Sequence, residues 1–131
     1  MSVVSSWTSS RNTSALSASK THTPSDEVVI ETGTITIANS ETDKVVNVGG
    51  IDVSQLVHVW MHSNKALTIE TNHTAATGGN TITLVADVPL LWCTGAPFSN
   101  PLTNDVTVMY VTNSSGSSAS LTMRFVQDGT P

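Results

Sequence analysis

From Val28 onward, apolar and polar residues alternate with period two over most of the chain. The sharpest run is Leu56-Val57-His58-Val59-Trp60-Met61-His62. Successive side chains of a strand point to opposite faces, so Val57, Val59 and Met61 fall on one side and His58, Trp60 and His62 on the other. The run predicts a strand with an aliphatic face for a core and an aromatic, histidine-rich face available to a partner. The same short-strand grammar recurs. Ile35 and Ile37 alternate with Thr34 and Thr36, and a strand over 44–48 ends at Gly49-Gly50. Residues 51–55 read as one helical turn or a loop. Leu67 and Ile69 alternate with Thr68 and Glu70, and Ile82 and Leu84 with Thr81 and Thr83; around Gly78-Gly79-Asn80 these two runs read as a hairpin with a long loop. Short strands follow over 89–93 and 106–112, separated by a loop with Gly95, Pro97 and Pro101. The last strand, 120–127, puts Leu121, Met123 and Phe125 on one face and Thr122 and Arg124 on the other.

About eight short strands in roughly one hundred residues, with no sustained helical period, predict an all-β fold with a sandwich or barrel spacing. A jelly-roll-like β-sandwich of antiparallel strands is the preferred reading. The chain lacks the Cys–Trp–Cys pattern of a disulfide-pinned antibody-type domain. Its 131 residues suit one folded body, placed at 26–131.

Residues 1–25 differ. About half are Ser or Thr, and apolar residues are few, among them Val3, Val4, Trp7 and Leu16. Such a segment buries too little surface to offset its own ordering entropy, so it reads as an extended N-terminal arm entering the body at Pro24. Trp7 stands out in it as a possible anchor for a neighbouring subunit.

Composition narrows the function. Charged residues make up 11%, against a usual ~25%. An uncharged polar surface suits a protein that packs into an assembly; a Thr-rich β protein with hydroxyls on its outer strand faces explains it equally. The arm carries Arg11 and Lys20 with no acid, a charge of +2, while 26–131 sets all ten acids against Lys44, Lys65 and Arg124, a charge of −7. An acidic body argues against nucleic acid as a partner. Cys93 is the single cysteine, which excludes an intrachain disulfide and fits a reducing cytoplasm. No basic start with an apolar run opens the chain and no apolar stretch is long enough to span a bilayer, so neither a secretory signal nor a membrane is expected. The sequons at Asn12, Asn72 and Asn113 then read as chance.

Candidate chemistry is sparse. His58 and His62, four apart on a strand, lie roughly 13 Å from each other, too far to share an ion within one chain. A ring of equivalent histidines about a symmetry axis stays open. The carboxylate pairs, Asp26-Glu27 and Glu41 with Asp43, read as solvated, and no nucleophile elbow or phosphate-cradling glycine loop occurs. No catalytic residue, cofactor or metal is expected. Trp92, flanked by Leu90, Leu91 and Cys93, reads as buried; Trp60, sharing its face with two histidines, reads as half-exposed or at an interface.

The runs Lys65-Ala66-Leu67-Thr68-Ile69-Glu70-Thr71-Asn72, Thr81-Ile82-Thr83-Leu84, Pro89-Leu90-Leu91-Trp92, Asn100-Pro101-Leu102-Thr103 and Val108-Met109-Tyr110-Val111-Thr112-Asn113 resemble the small virion proteins of tailed bacteriophages, above all capsid decoration, or cement, proteins. The resemblance covers about residues 56–128 and leaves out the arm. It implies a jelly-roll-like body forming homotrimers on the outer capsid surface, assembled in the host cytoplasm, with the major capsid protein as partner. Residues 1–25 would be the clamp, with Val3, Val4, Trp7, Arg11 and Lys20 as its contacts, and a threefold axis would give the His58, Trp60 and His62 face a symmetric partner. The resulting expectation is a non-enzymatic virion protein that stabilises the head by clamping neighbouring capsid subunits. A tail, collar or fibre-head module, or a carbohydrate-binding sandwich using Trp60 or Trp92, are the alternatives.

Overall fold

The computed structural model describes residues 3–11, 14–22, 26–74 and 78–129. Its strands are β1 (Val3–Arg11), β2 (Ser14–His22), β3 (Glu27–Ile37), β4 (Lys44–Val46), β5 (Leu56–Ser63), β6 (Leu67–Thr71), β7 (Thr81–Leu84), β8 (Leu90–Cys93), β9 (Met109–Thr112) and β10 (Ala119–Asp128). Each body segment read as a strand forms one, and the ambiguous stretch before β5 is a single 3₁₀ turn, Val53–Gln55, capped by the Asp52 carboxylate on the Ser54 amide.

Strands β3 to β10 build two four-stranded sheets, ordered β3-β10-β5-β8 and β4-β9-β6-β7, with every pairing antiparallel. The pairs β3·β10, β4·β9, β5·β8 and β6·β7 nest inside one another, so the body is one long hairpin rolled until alternate pairs lie in opposite sheets. That wrapping is a jelly-roll sandwich.

Period-two patterning makes it close. Ile37, Val59, Met61, Leu121, Met123 and Phe125 come from the first sheet, and Leu67, Ile69, Ile82, Leu84, Met109 and Val111 from the second; all belong to one core. Each such side chain stabilises the fold by about 1.5–3 kcal/mol through burial. Polar groups close the ends. Asn113, 1% exposed, donates its amide to the carbonyls of Ile37, Ala38 and Ser117 and accepts from the amide and hydroxyl of Ser115. Asn72, at a φ of 65° that asparagine tolerates, donates to the Asp105 carbonyl and accepts from Thr107. Both sequon amides are thus consumed by the fold; Asn12 lies outside the described residues.

The segment read as an arm is a hairpin. β1 and β2 pair along nine residues each, from Val3 opposite His22 to Arg11 opposite Ser14, and join neither sheet. A two-stranded ribbon is marginal by itself. This one lies beside β8, over the outer face of the first sheet.

Candidate functional site

That outer face is where the sequence-predicted residues of the body collect. Directly paired residues of neighbouring strands point to the same side, so the register lays the face out in rows. Val29, Val126, His58 and Cys93 form one row across β3, β10, β5 and β8; Glu31, Arg124, Trp60 and Leu91 form the next; Thr34, Thr122 and His62 form a third. The alternation read along β5 holds from His58 to His62: Val59 and Met61 are fully buried in the core, while His58, Trp60 and His62 stand on the opposite face. It fails at Val57, where the register with β10 slips by one residue and Leu56, not Val57, joins the core.

The three aromatic residues of that face have different surroundings. His58 is 7% exposed although it faces away from the sandwich core, and its row neighbours Val126 and Cys93 are buried as well. Burial first, and the Arg124 guanidinium second, hold the His58 imidazole below its ordinary pKa. Both effects disfavour the charged form. Trp60 is half-buried and stacks on His62, with ring centroids 6.0 Å apart and planes inclined by 20°. Beside Trp60 on β10, the Arg124 Nε lies 3.3 Å from Glu31 Oε1, and both side chains are well exposed.

The middle row, with His58 and Thr122 from the rows beside it, lines a groove of about 560 Å³. Val4 and Ser6 of β1 form one wall; Gly33, Trp60, Leu91 and Arg124 contribute to the floor and far side. Trp60 lines the groove, and its stacking partner His62 is not among the lining residues. A bulge shapes the β3 side: between Glu31 and Thr34, two residues, Thr32 and Gly33, oppose Met123 alone. Gly33 takes a φ of 62°, and the Thr32 hydroxyl accepts the Met123 amide at 3.0 Å in place of a ladder bond.

No family model matches the chain, and neither does any curated protein or solved structure. The site therefore rests on its own geometry. Among the described residues no group of three or more His, Cys, Asp or Glu is placed to hold a metal ion, and His58 and His62 remain separated by Trp60. Cys93 stands across from His58; both are buried, and of the two only His58 lines the groove. Among the described residues no helix is long and apolar enough to cross a membrane.

Of the arm residues, Val4 is 53% exposed and faces the groove. Val3, Trp7 and Arg11 lie on β1 and Lys20 on β2; their side chains fall outside the described residues. Trp92 is half-buried against the core, its indole N–H donating to the Phe98 carbonyl at 3.2 Å. Sequence reasoning missed Glu31, Gly33, Leu91 and Arg124 as members of the site. Arg124 was legible as outward-facing on the last strand, but its neighbours Trp60 and Glu31 lie 64 and 93 residues away along the chain, which no local pattern encodes.

Proposed function

We propose that this protein is a non-enzymatic structural protein of a tailed-bacteriophage virion. It decorates the capsid as a homotrimer and stabilises it by gripping neighbouring copies of the major capsid protein. The observation that carries the reading is the division of labour in the chain: a closed jelly-roll body, and an N-terminal hairpin that pairs with neither of its sheets. A hairpin outside the body's ladders is free to exchange its resting place for a surface on the shell, and repeated copies multiply a weak grip. The resemblance of residues 56–128 to decoration proteins points the same way, and so does the low charge of a surface made to pack.

The test uses expanded empty heads. The full chain co-sediments with them, whereas a variant lacking residues 1–25 stays folded and remains in the supernatant. Equal co-sedimentation of the two defeats the reading. His62→Ala, on the outer face but outside the groove lining, lowers the sedimentation mass from trimer toward monomer while leaving the circular dichroism of the body unchanged; a monomeric wild type removes the trimer from the proposal.

A further inference from the structure

We propose that the groove over the first sheet binds a neutral oligosaccharide, with Trp60 as the stacking platform. This goes beyond capsid decoration and stands or falls separately, because it is tested on the free protein.

Four features select this class of ligand. The groove, about 560 Å³, falls within the ~300–1,000 Å³ range of small-molecule sites, and is open rather than sealed. Its apolar part is the indole of Trp60, continued by Leu91 on the next strand and faced by Val4 of β1. The indole stacks on His62 and is part of the groove lining, so it offers an aromatic surface to the C–H face of a sugar ring. Its polar part offers both donors and acceptors. Arg124 can only donate, the Glu31 carboxylate can only accept, and the hydroxyls of Thr122 and Ser6 do both. A ligand whose hydroxyls alternate in the same way satisfies them all. Finally, Arg124 and Glu31 lie 3.3 Å apart and cancel, so the site offers no net charge to a phosphate, a carboxylate or an ammonium group. An amphipathic ring bearing neutral hydroxyls fits; an anion or a plain hydrocarbon leaves half of the lining unsatisfied.

The Thr32–Gly33 bulge adds an independent mark. It interrupts the β3–β10 ladder between Glu31 and Thr34, at the groove wall, and sets the position of Glu31 opposite Arg124. A Cβ added to Gly33 meets nothing within 4 Å, so the glycine there serves backbone shape and an open groove, not close packing.

The experiment titrates the full chain with cellotriose, maltotriose, chitotriose and N-acetyllactosamine by calorimetry and tryptophan fluorescence, with a sulfated trisaccharide as the charged control. At least one neutral sugar binds at millimolar concentration or below, and its ring protons receive saturation transfer from the protein in NMR. Trp60→Ala weakens that binding by roughly tenfold or more, Trp60→Phe by less, and Glu31→Gln or Arg124→Met by several-fold each. Thr68→Ala, on the outer face of the other sheet, leaves it unchanged. Should Trp60→Ala fail to fold, Trp60→Phe, Glu31→Gln and Arg124→Met together decide. Four outcomes overturn the proposal: no neutral sugar binding to the folded protein, a preference for the sulfated sugar that salt abolishes, binding at crowded concentration without any saturation transfer, or groove variants that bind as well as wild type.

Discussion

One amide, that of Asn113, satisfies three carbonyls at the end of the sandwich and holds the Ser115 turn that leads to β10. A buried acceptor stripped of its partner costs roughly 1–3 kcal/mol. Asn113→Ala is therefore expected to lower the stability by about 2–4 kcal/mol, read from urea denaturation, with Asn113→Asp little better because it loses the donors. His58 works in the opposite sense, as a liability that depends on pH. The native state holds it neutral below the usual imidazole range, while the unfolded chain titrates near ~6.5. As the pH falls below ~6.5 the unfolded state binds more protons, so stability declines until native His58 titrates in turn; above that window the contribution is flat. Urea midpoints of His58→Gln, followed over the same acid range, should fall less steeply than those of wild type. Parallel curves would show that His58 is not the group responsible.

At the scale of elements, the sequence carried the body's strands and little of their partners. Each inward residue of β6 and β7, Leu67, Ile69, Ile82 and Leu84, announces its face by alternation with threonine and glutamate, and burial follows that pattern. The hairpin of β1 and β2 gave no such signal, because its serines and threonines lack an apolar face; only pairing across the ribbon defines it. The candidate site was half legible. His58, Trp60 and His62 mark one face of β5 by themselves, whereas Arg124 and Glu31 join it only because β10 lies between β3 and β5. The bulge was invisible for the same reason: Thr32 and Gly33 are extra only relative to Met123. Its stability rests on the Thr32 hydroxyl, which accepts the Met123 amide. Thr32→Val keeps the shape of the side chain and removes that acceptor, with an expected cost of about 1–2 kcal/mol. Hydrogen exchange at the Met123 amide should accelerate, and Thr32→Ser should restore its protection.

For the whole molecule, the separation of hairpin and body has a consequence that does not require a capsid to examine. β1 and β2 pair only with each other, and Asp26 and Gly129 close the body behind them, with the Gly129 amide donating to the Asp26 carbonyl at 2.6 Å. Removing residues 1–25 leaves every ladder of the two four-stranded sheets in place. The urea midpoint of the truncated chain is accordingly expected to stay close to that of the full chain. The groove, however, loses the wall formed by Val4 and Ser6, which it shares with His58. With water readmitted, the leading cause of the depressed His58 pKa weakens, so an NMR titration of the truncated chain should find that imidazole moved up toward the ordinary value. The two readouts bear on different links. A truncated chain that unfolds makes the hairpin an integral part of the core and removes the basis for a detachable clamp. A folded one with His58 unmoved means that the body itself, and not the hairpin, shields this end of the face, and the hairpin then has no resting place to give up when it grips a neighbour.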